Sequence, residues 1–133
     1  MFKIGDIVKF RGKHSRIIGI DGNHMSLSEF GWIYDMNQSD LELIESVVLP
    51  EPKDGDLVYV LNIPASEKSV YGPNWMSGMN HYTTTLTDFK IGKAIAYPVK
   101  DVRQSQWYGP LVTIGGYVFQ TYHLEPVNNY DMI

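Results

Sequence analysis

Hydrophobic and polar residues follow one another along most of the chain in short runs rather than at helical spacing. Runs such as 7–10 (IVKF), 16–20 (RIIGI) and 57–61 (LVYVL) are rich in β-branched or aromatic residues and lie close to glycine or aspartate. Short strands at close spacing with frequent glycine and proline are typical of β-barrels and β-sandwiches. The pattern therefore predicts an all-β protein. The stretch 40–48 has room for about one helical turn before the prolines at 50 and 52 end it.

The chain contains an internal repeat. The segment 4–8 (IGDIV) recurs as 54–58 (DGDLV), and each copy is followed by a hairpin-like region, an aromatic strand and a Leu-Glu pair. The glycine can adopt a positive φ before the strand, and the aspartate can accept hydrogen bonds from nearby backbone N–H groups. The repeat predicts two units, 1–49 and 54–133, joined by a proline-containing junction at 50–53.

These units resemble SH3-like small β-barrels, including those with KOW-type openings, in their Gly-Asp opening, bent five-strand meander and closing Leu-Glu. The second unit is also similar to short barrel proteins of bacteriophages through Trp75, Met79, Asn80 and the segments 91–93 (IGK), 117–119 (YVF) and 124–127 (LEPV). The resemblance implies two tandem SH3-like small β-barrels. In the second, a loop at 63–89 is inserted between the first two strands.

We expect one hydrophobic core in each unit, and an interface between them that uses the apolar segment 47–49, because a barrel of about 50 residues buries too little surface alone. The first core is predicted from Val8, Phe10, Ile18, Ile20, Trp32 and Leu41, and the second from Val58, Val60, Ile95, Val112, Ile114, Val118 and Leu124.

Composition excludes several kinds of chemistry. The chain has 133 residues, a formal net charge of −4 and no cysteine, so disulfides, iron–sulfur clusters and thiolate zinc sites are ruled out. No apolar run approaches the length of about 20 residues that a membrane-spanning helix needs. The first residues lack the charged-then-apolar layout of a secretory signal, so Met1 is expected to start the mature chain. We expect a cytoplasmic protein, in the host cytoplasm if phage-encoded, without membrane association.

The sequence gives no sign of an active site. None of the four histidines stands at a metal-binding spacing, and there is no Gly-x-Ser-x-Gly motif. Ser77, His81 and Asp88 lie near one another in sequence, but catalytic triads are defined by geometry, and we interpret these residues as part of a polar loop. We therefore predict a protein that is not an enzyme and has no metal or cofactor.

Aromatic residues in two loops predict a protein-binding surface. The loop at 63–89 contains Tyr71, Trp75, Met76, Met79, His81 and Tyr82, and a predicted hairpin tip contains Trp107 and Tyr108. Aromatic residues and methionine are enriched at the centres of protein interfaces. The predicted function is a non-enzymatic protein-binding module, for example a small phage-encoded factor that binds a host or virion protein through these loops. Alternatively, Trp75 plugs the end of its own barrel.

Charge asymmetry supports a second hypothesis. Residues 1–16 carry five basic side chains and one acidic one, whereas residues 17–57 carry nine acidic side chains and one basic one. A KOW-type nucleic-acid-binding barrel would use the basic first hairpin on phosphates and aromatic rings for stacking. The residues predicted for this role are Lys9, Arg11, Lys13, Arg16, Trp32 and Tyr34. In the other interpretation, the basic hairpin packs beside its own acidic neighbours.

Overall fold

The structure, a computed structural model, describes residues 2–62, 89–115 and 117–127. Those residues form antiparallel strands and two single-turn 3-10 helices, which confirms the all-β prediction. The strands of the first half are β1 (Ile7–Phe10), β2 (Lys13–Asp21), β3 (His24–Leu27), β4 (Gly31–Ile33) and β5 (Glu42–Glu45). Those of the second half are β6 (Leu57–Val60), β7 (Tyr97–Pro98), β8 (Lys100–Ser105), β9 (Gly109–Ile114), β10 (Tyr117–Gln120) and β11 (Leu124–Pro126).

The two halves arrange their strands in the same order. The first half is a five-stranded sheet with the order β4-β3-β2-β1-β5. The second half has two three-stranded sheets, β10-β9-β8 and β11-β6-β7. Only Val99 separates β7 from β8, so tracing the chain through this residue gives β10-β9-β8/β7-β6-β11. A 3-10 helix precedes the last strand in each half, at Gln38–Asp40 and Thr121–His123. The described residues thus form three small antiparallel sheets, without a closed barrel.

The repeated Gly-Asp segments fold into the same turn. Gly5 and Gly55 have φ values of +92° and +91°, a conformation that glycine adopts without steric cost. Each glycine N–H donates a 2.8 Å hydrogen bond to a backbone carbonyl oxygen, that of Ile17 on β2 in the first half and that of Val99, between β7 and β8, in the second. The carboxylates of Asp6 and Asp56 each accept a hydrogen bond from the backbone N–H three residues earlier, at 3.0 and 2.8 Å. The sequence repeat is therefore a repeat of backbone structure.

The hydrophobic side chains form two clusters, and their membership corrects the sequence prediction in several places. The first cluster comprises Val8, Phe10, Ile17, Met25, Leu27, Met36 and Leu41. The second comprises Ile18, Val58, Val60, Phe89, Val99, Leu111, Val112, Ile114, Val118, Phe119, Tyr122 and Leu124.

Ile18 was predicted in the first core but packs in the second, and Ile95, predicted as core, is 49% exposed because it precedes β7 instead of lying within a strand. Phe89, placed at the end of the inserted loop, is buried, with its ring edge-on to Phe119 at a centroid distance of 5.3 Å. Ile20 and Trp32 are only half-buried.

The β2 strand is buried on both faces at its centre. Successive side chains of a strand point to opposite faces, so Ile17 enters the first core and Ile18 the second. A register irregularity between Ile17 and Gly19 lies at this point. The β2 strand therefore contributes side chains to the hydrophobic cores of both halves. Leu49 also packs against the second core, but Val48 is 89% exposed, so the predicted interface segment 47–49 contributes in part.

Backbone groups of β2 also bond to the second half. The β1 strand pairs with β2 only as far as Arg16. Beyond it, the carbonyl oxygen of Ile18 accepts a 3.1 Å hydrogen bond from Nε2 of Gln120, and the N–H of Ile20 donates a 2.8 Å bond to the carbonyl oxygen of Trp107. The fully buried Gln120 side chain also accepts a hydrogen bond from the Tyr122 hydroxyl. Buried polar groups of this kind are costly unless paired, so these bonds fix the position of the halves relative to each other.

A buried carboxylate ties the start of β1 to the chain after β5. Asp6 is 1% exposed, and its Oδ1 lies 2.9 Å from Nζ of Lys3 and accepts a 3.3 Å bond from the Val47 N–H. Burial raises the pKa of Asp6, but hydrogen bonds from the side chain and backbone of Lys3 and from Val47 outweigh burial, so the pKa lies below its ordinary value. The charged form is therefore the one that the fold stabilises.

We expect Ile18→Ala to lower the free energy of unfolding by about 2–4 kcal/mol. Ile18 belongs to the first half, but its truncation would leave a cavity in the second core. Denaturant unfolding measures this change. The control is Ile44→Ala on β5, whose side chain is 40% exposed and whose truncation should change stability by less than about 0.5 kcal/mol. Equal effects of the two substitutions would contradict the burial of Ile18 in a shared core.

We expect Asp6→Asn to lower stability by about 1–2 kcal/mol at pH 7, because the variant loses the charged acceptor of Lys3. A carboxyl whose pKa is lowered by folding stabilises the protein above its unfolded pKa and loses that contribution as pH falls through its folded pKa. The difference between wild type and variant should therefore shrink below about pH 4. Asp56→Asn is the control, because this repeat equivalent is exposed. Its effect should be smaller, and a pH-independent cost of Asp6→Asn would disprove the explanation.

Candidate functional site

An open pocket lies where the turn between β8 and β9 meets the first half. It is lined by Asp21 at the end of β2, His24 at the start of β3, Trp32 on β4, Tyr34 just after β4, and Trp107 in the β8–β9 turn. We call this set the aromatic cleft. Its volume is about 160 Å³. Both halves contribute to it, so the cleft exists only when they are docked.

Local sequence explains the part of the cleft that comes from the first half. Gly22 and Asn23 form the tight turn that joins β2 to β3, and Asp21 and His24 are cross-strand partners flanking that turn. Trp32 and Tyr34 are two residues apart, the spacing that places side chains on one face of an extended chain. The hairpin register and the aromatic spacing together bring these four side chains to the same end of the sheet.

The base of the cleft depends on Gly19. A Cβ atom at this position would lie 3.1 Å from the rings of both Trp32 and Tyr108, which is closer than ordinary van der Waals contact. The φ of Gly19 is not in the left-handed region, so the missing side chain serves close packing rather than a special backbone conformation. Glycine on β2 therefore lets two aromatic rings from different halves settle against the strand.

Three aromatic rings pack edge-to-face beside Gly19. The Trp32 ring lies 6.4 Å from that of Trp107 and 6.1 Å from that of Tyr108, measured between centroids, with interplanar angles of 81° and 62°. Burial raises the pKa of Tyr108, and a hydrogen bond with the Trp32 side chain offsets part of that effect. Edge-to-face pairs of this kind stabilise a fixed arrangement of rings. Tyr108 is thus a buried support for the two tryptophans.

Hydrogen bonds hold the part of the cleft that is formed by His24 and Tyr34. Nδ1 of His24 accepts a 2.9 Å bond from the backbone N–H of Asp35, which fixes the orientation of the ring. Nδ2 of Asn23 donates a 3.3 Å bond to Oδ1 of Asp35. The Tyr34 ring packs edge-to-face against His24 at 5.2 Å and is 70% exposed, while Trp107 is 40% exposed. The rim therefore presents two accessible aromatic surfaces on a fixed support.

The structure brings together residues that the sequence assigned to two different sites. Trp107 and Tyr108 were predicted to bind protein, whereas Trp32 and Tyr34 were predicted to stack on nucleic-acid bases. All four lie at or beneath the aromatic cleft. The other six residues predicted to contact a partner (Tyr71, Trp75, Met76, Met79, His81 and Tyr82) lie outside the described residues, and so does the predicted plugging role of Trp75.

The basic residues of the nucleic-acid hypothesis lie elsewhere. Lys9, Arg11 and Lys13 are exposed around the β1–β2 turn, at the other end of β2 from the cleft. With a rise of about 3.3 Å per residue, Lys13 and Asp21 are separated by up to about 26 Å along the strand. Arg16 is engaged within the protein, where its Nη1 donates a 2.8 Å bond to the Gly5 carbonyl and its guanidinium lies over the Tyr122 ring, 4.7 Å from the centroid.

Sequence reasoning did not single out Asp21 and His24 as site residues. The Asp21-Gly22 turn was a usable signal, because a two-residue turn makes Asp21 and His24 neighbours across the hairpin. Within the described ranges, no group of three or more His, Cys, Asp or Glu side chains is placed to hold a metal ion. In the same ranges, no helix is both long and apolar enough to cross a membrane.

We expect Gly19→Val to push the Trp32 and Tyr108 rings away from β2 and to lower stability by about 1–3 kcal/mol, because the added side chain overpacks the base of the cleft. The indole N–H signals of a ¹H–¹⁵N spectrum and denaturant unfolding measure the two effects. Gly19→Ala, with one added carbon, should show smaller changes in the same direction. Unshifted indole signals and unchanged stability in Gly19→Val would contradict the close packing described above.

Comparisons with known proteins do not assign a role to the cleft. No protein-family model, no curated protein and no solved structure matches the chain. The resemblance to SH3-like and KOW-type barrels therefore stays a prediction.

Proposed function

We propose that this chain is a non-catalytic protein-binding module and that it binds its partner through the aromatic cleft. The observation that carries the proposal is the pair of accessible aromatic side chains, Tyr34 and Trp107, that line the same cleft. Trp and Tyr are the residue types most often found at the energetic centres of protein interfaces. Apolar groups that lie together and stay accessible on a protein surface often mark an interaction site.

The size of the cleft suits a protein partner better than a free small molecule. Small-molecule sites are usually clefts or cavities of about 300–1,000 Å³ that bury most of the ligand's surface. The cleft measures about 160 Å³ and is open to solvent, which is the scale of a recess for one side chain of a partner. The exposed rings and the nearby surface would then contact the residues on either side of that side chain.

Preorganisation favours binding at this site. The β2–β3 hairpin, the hydrogen bond from Ile20 to Trp107 and the packing of Tyr108 hold the lining residues in place before a partner arrives. A fixed surface loses less conformational entropy on association than a mobile one, so more of the contact energy appears as affinity. The basic hairpin, by contrast, lies at the far end of β2 and gives the cleft no phosphate contacts. These placements favour protein binding over the KOW-type alternative.

The proposal extends to the architecture. The two halves share their strand order, their Lys-x-Gly-Asp turn and a 3-10 helix before the last strand, which supports two tandem SH3-like units. In that arrangement the binding surface lies at the junction between the units instead of on either one alone. A partner would therefore recognise the docked pair, and separate units would bind poorly.

We expect Trp107→Ala and Tyr34→Ala each to reduce partner capture by about tenfold or more, since both remove exposed aromatic contact area. Affinity purification from nuclease-treated lysate, with quantitative mass spectrometry, compares the variants with wild type. The control is Val102→Ala on β8, an exposed apolar residue of the same hairpin that does not line the cleft. It should leave capture unchanged. If wild type and all three variants retain the same proteins equally, the cleft is not the binding surface.

A further inference from the structure

We propose that the aromatic cleft receives a positively charged side chain of the partner, with arginine preferred over lysine. This inference rests on the proposed protein-binding function and adds the chemistry of the group that is bound. It is carried by the combination of a carboxylate, Asp21, with the rings of Trp32, Tyr34 and Trp107 around one small recess.

The electrostatics of the cleft favour a cation. Asp21 is exposed at the cleft wall, and no basic side chain among the described residues forms an ion pair with it. The other polar side chain of the lining, His24, accepts a hydrogen bond from the Asp35 backbone N–H at Nδ1, so this ring nitrogen is not available to pair with Asp21. The Asp35 carboxylate stands beside the same hairpin through its bond to Asn23. The five residues that line the cleft thus include one carboxylate and no lysine or arginine.

The rings add a second attraction to the same ligand. Aromatic faces are negative, so a cation within about 6 Å of a ring centroid is attracted to it, and tryptophan is the strongest partner. A cleft with two tryptophans and a tyrosine therefore attracts a cation from several sides. An uncharged apolar side chain would also contact the rings, but it would leave Asp21 without a partner and reduce its hydration.

The segment that contains most of the cleft residues is also negatively charged. Residues 17–57, which include β2 from Ile17 onward and β3 to β5, carry nine acidic side chains against one basic side chain. The basic residues Lys9, Arg11 and Lys13 lie at the opposite end of β2, where they do not neutralise the cleft. A negative field around a recess raises the rate of encounter with cationic groups and selects against phosphates.

Arginine fits these features better than lysine. Its planar guanidinium can stack on an aromatic face and donate to a carboxylate at the same time, whereas the lysine ammonium is a compact, strongly hydrated point charge. Because Asp21 and the rings line one recess, a single guanidinium would contact both.

The test compares two peptides that differ in charge but hardly in shape. The capped tripeptides Gly-Arg-Gly and Gly-citrulline-Gly are titrated at millimolar concentrations into the full-length ¹⁵N-labelled protein, and the indole N–H signals and backbone amides of 21–24, 32–34 and 107 are followed. We expect the arginine peptide to shift these signals in a saturable way and the citrulline peptide to bind at least about fivefold more weakly. Equal binding of both peptides, or no shift with arginine, would overturn the proposal.

A matched pair of variants tests the carboxylate. Asp21→Asn should weaken binding of the arginine peptide by about two- to fivefold, because it removes charge while keeping the size of the side chain. Asp54→Asn makes the same change at an exposed aspartate that does not line the cleft, and it should bind like wild type. If both variants weaken binding equally, the peptide responds to overall charge and a specific cationic recess is excluded.

The same variants separate this inference from the proposed function. Partner capture that is lost in Trp107→Ala but unchanged in Asp21→Asn, together with equal binding of the arginine and citrulline peptides, would retain the protein-binding function and refute the cationic ligand. Partner capture that none of the cleft variants alters would refute the function itself. Loss of capture in both Trp107→Ala and Asp21→Asn, with preference for the arginine peptide, would support both proposals.

Discussion

Burial of β2 on both faces is the constraint on which the rest of the structure depends. Ile17 and Ile18 are neighbours in sequence but belong to different hydrophobic cores, so neither half can complete its packing without the other. The β2 backbone also contacts the second half, because the carbonyl of Ile18 bonds to Gln120 and the N–H of Ile20 bonds to Trp107. Two small units that are each too small to be very stable alone thereby gain a common interior. Moving β2 by one residue would exchange the two faces and disrupt both cores together.

The candidate site is a direct consequence of that docking. The hydrogen bond between Ile20 and Trp107 brings the β8–β9 turn against β2, and the absence of a side chain at Gly19 lets Tyr108 and Trp32 meet there. The contacts that stabilise the junction therefore also position the accessible rings at its edge. Any substitution that weakens the docking is expected to perturb the cleft as well, which is why variants of the exposed rim residues are the cleaner probes of binding.

The sequence was sufficient to predict what depends on local chemistry. The Gly-Asp repeat predicted two equivalent turns, and they have matching φ values and hydrogen bonds because a positive φ before a strand is a local requirement of the backbone. The placement of Ile18 could not be predicted, since an alternating strand with both faces apolar does not show which neighbour covers each face. Trp32 was likewise predicted in a core, but it is half-buried and lines the cleft. The meeting of Trp107 with Trp32 depends on a contact between residues 75 positions apart, and nothing in the local pattern specifies it.

Duplication alone would give two similar surfaces, so the asymmetry of the cleft requires its own explanation. The strand registers place Trp32 opposite Ser26 on β3, and Gln120 opposite Leu111 on β9, at equivalent positions of the two halves. Trp32 is half-buried and lines the cleft, whereas Gln120 is fully buried and its side-chain amide bonds to β2. The hairpin turn of the second half, 106–108, is one residue longer than that of the first, 22–23, and it carries the Tyr108 ring that packs at Gly19. The longer aromatic turn of one copy is thus complementary to the glycine of the other. This complementarity turns a repeated fold into a single asymmetric junction with one aromatic cleft.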